Sequence, residues 1–122
     1  MNQEIYKLVP HAEERIVAAV SKWDGVEASP HSFGGTEFRL GRREIGHVHG
    51  DHWADIVFPM EVRNQLVSEK KVQPHHILPN SGWITFRFKE EGDVTRAIEL
   101  FRLSYEIATK KASARTSSQV SA

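Results

Sequence analysis

From His31 to Phe58 glycine or a turn pair interrupts the chain every few residues, and this spacing most constrains the fold. Runs this short are strand-length, and their polarity alternates with period two rather than 3.6. Thr36 to Leu40 sets Phe38 and Leu40 on one side and Glu37 and Arg39 on the other. Gly41-Arg42 reads as a tight hairpin connection, Arg43 to His49 as a second strand, Gly50-Asp51-His52 as another turn, and Trp53 to Phe58 as a third strand. Three strands with short links imply an antiparallel meander. Gly34-Gly35 is too short for a phosphate loop and precedes a strand rather than a helix, so it supplies positive φ in a turn. Val26 to His31 is ambiguous, with an edge strand stopped by Pro30 as one reading.

The flanks carry helical periodicity. Over residues 10–23, Ala12, Ile16, Ala19, Val20 and Trp23 form one apolar stripe, closed by Asp24-Gly25. Pro59 opens a short helix over residues 60–69, with Met60, Val62, Leu66 and Val67 as its apolar positions. Val72 to Pro79 reads as a proline-flanked connection holding His75-His76, and Trp83 to Phe88 as a fourth strand. Asp93 is placed to N-cap the longest helix, roughly 93–110, whose stripe is Val94, Ala97, Ile98, Phe101, Tyr105 and Ala108. The element order α-β-β-β-α-β-α predicts an α+β fold, a two-layer sandwich of a mostly antiparallel sheet with helices on one face. Residues 1–111 are expected to be one domain and the Ser/Ala-rich residues 112–122 a disordered tail.

Composition excludes several function classes. Sixteen basic residues balance sixteen acidic ones, so no global field draws the chain to nucleic acid. The absence of cysteine removes disulfides, thiolate metal sites and a Cys nucleophile. Met1 to Leu8 has no apolar signal-peptide core, and no run approaches the ~20 apolar residues of a membrane span. The expectation is a soluble cytoplasmic protein with no membrane partner.

Gly46 to Trp53 is the densest candidate for chemistry. Period two puts His47 and His49 on one strand face, with Asp51 following at the turn. Two imidazoles at i and i+2 and one carboxylate can reach one divalent metal, and Asp55, His75 or His76 could complete such a site. The plainer reading is a polar strand whose histidines bond their neighbours. At most one of His75 and His76 is expected to face the meander, because adjacent residues on an extended segment point apart. Glu37 and Glu44 read as partners of Arg39, Arg42 and Arg43 across the hairpin. Arg39, Arg42, Arg43 and Arg63 with Trp53 could form a patch for single-stranded nucleic acid, an idea weakened by the interleaved glutamates. Ser81 is a turn serine, since the context of a nucleophile elbow is missing. Trp23 belongs to the first helix's stripe, whereas Trp53 and Trp83 could wall a ligand pocket.

Taken together, His31-Ser32-Phe33-Gly34-Gly35, Glu37-Phe38, Leu40 to Gly50, Ala54-Asp55-Ile56, Phe58-Pro59, His75-His76, Leu78-Pro79 and Ser81-Gly82-Trp83 resemble the bacterial luciferase domain family, over about His31 to Tyr105. The resemblance implies a small domain of undefined activity and carries no implication of luminescence. The chain is far shorter than the ~250 residues of a flavin-dependent luciferase barrel. The layout, with Trp83 opening a strand and Ser104-Tyr105-Glu106 in a terminal helix, is also similar to YjbR/MmcQ-like proteins, some suspected of binding DNA.

The function expected first is a binding module that contacts a small molecule or protein partner through His47, His49, Asp51, Trp53, His76 and Trp83. The alternative is a small enzyme, metal-dependent through His47, His49 and Asp51 or working by acid–base chemistry. A second alternative is DNA binding by fold analogy. No constellation shows the redundancy that catalysis usually leaves in sequence, which favours the first.

Overall fold

The computed structural model describes residues 9–31 and 34–120, with side chains as far as residue 113. Of the turn expected at residues 32–35, Ser32 and Phe33 fall outside the described residues, as do Met1 to Leu8. The elements are α1 (Ala12–Val20), β1 (Val26–Pro30), β2 (Thr36–Leu40), β3 (Arg43–His49), β4 (Trp53–Val57), α2 (Met60–Ser68), β5 (Gln73–Pro74), β6 (Trp83–Arg87) and α3 (Gly92–Val120). The α+β reading holds. The order gains two strands, running α-β-β-β-β-α-β-β-α. All six strands pair antiparallel in the sheet order β1-β2-β3-β4-β6-β5.

Both added strands are edges. β1 carries no alternation of burial, since only Val26 is half-buried, so periodicity does not reveal it. Pro30 ends it, and Pro74 lies in β5 at the opposite edge. At an edge a missing N–H costs no ladder bond, which is where proline is tolerated in sheets.

The inner face comprises Phe38, Val48, Ala54, Ile56, Ile84 and Phe86, all buried. It packs against Ile16 and Val20 of α1 and against Val94, Ala97, Phe101 and Ala108 of α3. Phe38 and Phe101 meet edge to face at 5.2 Å. The α1 stripe ends at Val20. Trp23 lies beyond the helix and packs at 5.3 Å against Tyr105, whose hydroxyl donates to the Asp24 carbonyl. Met60, expected in the stripe of α2, is 45% exposed.

Two helix ends depart from expectation. Asp93 lies inside α3, and its carboxylate accepts from the backbone N–H groups of Lys89 and Glu90, tying down the approach to the helix. At the other end α3 runs on to Val120, through most of the stretch expected as tail, although its last buried side chain among the described residues is Ala108. The apolar stripe stops where the helix leaves the sheet, whereas alanine, lysine and arginine still favour helical backbone.

A β-bulge shapes the centre of the sheet. Phe38 pairs with Gly46 but Arg39 pairs with Glu44, so Ile45 is one extra residue in β3. Ser104 of α3 donates to the carbonyls of Ile45 and Val57 at 3.3 and 2.8 Å. Beside the bulge, a Cβ on Gly46 would stand 2.7 Å from both the Asp55 carbonyl oxygen and the Phe101 ring. Gly46→Ala therefore forces α3 off the sheet or β3 from β4. Its expected cost is about 1–3 kcal/mol, the usual penalty of overpacking. Urea denaturation checks this, and an unchanged midpoint would show that the layers have slack here.

Candidate functional site

The outer face, away from the helices, carries the polar residues. Directly paired residues share a face, so the pairings of Glu37 with His47, His47 with Asp55, Asp55 with Thr85 and Thr85 with Gln73 form one polar row across five strands. The neighbouring row brings His49 beside Trp53 and Trp53 beside Arg87.

Asp55 is the hub of this face. It is 1% exposed, and its Oδ2 lies 3.2 Å from His47 Nε2, 3.4 Å from His49 Nε2 and 3.7 Å from His75 Nε2. Trp53 Nε1 donates to the same oxygen at 3.2 Å, and the Thr85 hydroxyl donates to Oδ1 at 2.7 Å. A carboxylate this deep is tolerated only because every face of it meets a donor.

The bulge brings in a second carboxylate. Strict alternation would set Glu44 and His47 on opposite faces; one extra residue between them puts both outward. Glu44 Oε2 then lies 2.6 Å from His47 Nδ1. Glu44 is thus engaged by an imidazole rather than by the hairpin arginines. Glu37 pairs with Arg39 at 2.5 Å, along its own strand and not across the hairpin.

These contacts set the titration of the cluster. Burial pulls the His47 pKa down, but hydrogen bonds to Asp55 and Glu44, with their charges, outweigh it and raise the pKa to about 9. Burial likewise pushes Asp55 up, and hydrogen bonds from His47 and Thr85 overcome it, holding Asp55 at about 2. His49 is lowered by burial and by the charge of His47. His75 is lowered first by burial. Its Nδ1 also accepts from the N–H groups of Ile77 and Leu78, each at 3.1 Å, so a proton there would break two hydrogen bonds. The neutral ring therefore carries its proton on Nε2, facing Asp55.

Aromatic rings build the walls. His31 stacks on His47 at 4.0 Å, Trp83 lies 5.4 Å from His47, and Trp53 lies 5.1 Å from His49. His76 stacks on His75 at 4.6 Å and meets the edge of Trp53 at 6.1 Å. With Ile77 and Leu78 these residues enclose an open cleft of about 370 Å³. Ile77 and Leu78 form its apolar lip, 71% and 48% exposed.

Of the residues anticipated from sequence, His47, His49, Trp53, His76 and Trp83 line this cleft, and Asp51 does not. The Asp51 carboxylate accepts from the backbone N–H groups of His11 and Glu13 and so caps α1. Asp55, which the sequence offers only as a possible addition to the histidines, lies at their centre. His75 and His76 both face the cleft, because the chain bends at residues 76–77 instead of running extended. The bend also brings His75, rather than His76, nearest to Asp55. His31 is a further addition. The cation over Trp53 is Arg87, at 5.4 Å, not one of the four arginines of the supposed patch. Ser81 bonds the backbone of Leu78 and Trp83, as a turn serine should.

The fold and site define a small α+β protein with a histidine–carboxylate cleft on the open face of its sheet. The luciferase domain family profile matches residues 42–104, just over half of the chain, from β3 into α3. The chain belongs to the luciferase domain family. The match holds Glu44, His47, His49, Asp55 and His75 but not His31. No curated protein and no solved structure matches the chain. No helix among the described residues is long and apolar enough to cross a membrane.

The His47 titration is directly measurable. In the metal-free protein its ring C–H resonances should titrate near pH 9, and in Glu44→Gln the midpoint should fall toward the ordinary 6.5. Because the folded pKa is raised, this pair's stabilisation is complete below pH ~6.5 and lost as pH climbs toward about 9. The thermal midpoint should decline across that window, and less steeply in Glu44→Gln. A His47 midpoint unmoved by the substitution would mean that Glu44 does not hold the proton.

Proposed function

We propose that the chain is a small-ligand-binding module and that its ligand occupies the cleft over Asp55. One observation carries the reading. A buried carboxylate, approached by three imidazoles and an indole N–H, forms the floor of a 370 Å³ cleft walled by Trp53 and Trp83. Small-molecule sites have this make-up: apolar and aromatic walls, a few converging polar groups, and volumes from about 300 Å³ upward. Exposed Ile77 and Leu78 at the lip extend the apolar wall outward. The ligand class that suits this gradient is amphipathic, with a hydrogen-bonding head at the histidines and an apolar body along the lip.

Straight-chain alcohols of graded length test the reading, followed by tryptophan fluorescence. Two of the three tryptophans line the cleft, and Trp23 sits apart against Tyr105. Affinity should rise about fourfold per methylene, the equivalent of ~0.8 kcal/mol, until the cleft is full. The response should vanish in a Trp53→Phe, Trp83→Phe double variant that retains its fold. The absence of saturable binding at every chain length would sink the proposal.

A further inference from the structure

We infer that the floor of this cleft is a divalent transition-metal site, with His47, His49 and Asp55 as ligands and His31 completing the set. The inference shares the cleft of the proposed ligand-binding reading and adds a resident ion to it.

The spacing of the polar atoms is the first support. A tetrahedral site with metal bonds of about 2.0–2.1 Å has ligand atoms about 3.3 Å apart. Asp55 Oδ2 lies 3.2 Å from His47 Nε2 and 3.4 Å from His49 Nε2. By contrast, the hydrogen bonds that orient these groups from outside are short, 2.6 Å between His47 and Glu44 and 2.7 Å from Thr85 to Asp55. The inward contacts are thus longer than the outward ones, as expected of groups arranged around a point. His31, His47 and His49 each offer a ring nitrogen, all within 4.8 Å of one another.

The outer partners form the second support. Glu44 occupies Nδ1 of His47 and leaves Nε2 for the cleft, the carboxylate–histidine arrangement that fixes a metal-binding imidazole. Thr85 occupies Oδ1 of Asp55 and leaves Oδ2 facing the histidines, where Trp53 Nε1 is its other neighbour. Two carboxylates balance the charge of a divalent ion, and among the described residues no lysine or arginine lines the cleft to compete with it. Imidazoles with one carboxylate suit zinc, cobalt, nickel or iron, not the oxygen-seeking calcium or magnesium.

His75 is close enough to be mistaken for a ligand. Its Nδ1 accepts two backbone N–H bonds, so Nε2 holds the proton and cannot donate a lone pair. Its place is that of a hydrogen-bond donor beside the ion.

The test uses the full chain without a histidine tag. Zinc chloride is titrated by calorimetry, and cobalt(II) is added to read coordination from its visible spectrum. One equivalent should bind with Kd below about 1 µM, and cobalt should give the intense bands of a four-coordinate ion. His49→Ala is the primary variant, because Asp55→Asn risks the fold; circular dichroism and the metal-free thermal midpoint establish that His49→Ala is folded. It should weaken zinc on the order of 100-fold, His31→Ala at least tenfold, and Glu44→Gln about 10–100-fold. His75→Ala should cost about tenfold, clearly less than His49→Ala, as expected of a hydrogen-bond partner of Asp55 rather than a ligand. No binding of zinc or cobalt, or binding unchanged in His49→Ala, would overturn the site; a His75→Ala loss as large as that of His49→Ala would overturn the ligand assignment. The alcohol series, run on metal-free protein, separates the two readings. Chain-length-dependent binding without metal affinity removes the ion and keeps the ligand cleft. Tight zinc without any alcohol binding does the reverse.

Discussion

Ile45 is one residue more than β2 has opposite it, and both faces of the sheet are organised around that excess. On the helix side the bulged residue's carbonyl accepts from Ser104, next to a glycine that leaves room for the Phe101 ring. On the open side it turns Glu44 toward His47. A regular strand would supply neither. The side chain that locks α3 to the sheet and the carboxylate that orients the central histidine are therefore set by one local event. Bulges commonly re-aim side chains beside functional sites, and this one does so while also seating a helix.

The same economy governs charge. Asp55 lies in the middle of a sheet at 1% exposure, where an unpaired carboxylate would be strongly destabilising. Its partners come from its own strand, both neighbouring strands and the 75–78 bend. Removing a single partner leaves the others in place, so the hub is over-determined in position while its ring of imidazoles still opens to solvent on one side.

Much of this was legible in the sequence, and the omissions have physical causes. Alternation locates β2, β3, β4 and β6, and helical periodicity locates α1, α2 and α3, because each turns one apolar face to the core. β1 is only an ambiguous edge strand in the sequence because it buries almost nothing. The bulge escapes because nothing local marks Ile45 as extra, so the sequence points Glu44 to the hairpin arginines instead of to His47. Asp51 follows His47 and His49 in period two, but the turn at residues 50–52 ends the strand before that phase reaches it. The register was within reach: a three-residue turn pairing His49 with Trp53 also pairs His47 with Asp55. His75 and His76 were set apart by assuming an extended chain, which His75 itself bends through its own Nδ1. The luciferase domain resemblance, drawn from motifs between His31 and Tyr105, corresponds to a profile match over residues 42–104.

The clamp at the start of α1 has a consequence for assembly of the molecule. Glu13 accepts from Gly50 N–H and from the Thr36 hydroxyl, while Asp51 returns the favour to the N–H groups of His11 and Glu13. These bonds span 23 to 40 residues of sequence. Contacts of that separation close large loops, whose entropy must be lost before any bond is gained. The hairpin end that carries His49 and Trp53 is therefore anchored only after the first helix has docked. A fragment beginning after α1 would retain every residue of the matched segment and lose the brace that holds its turn.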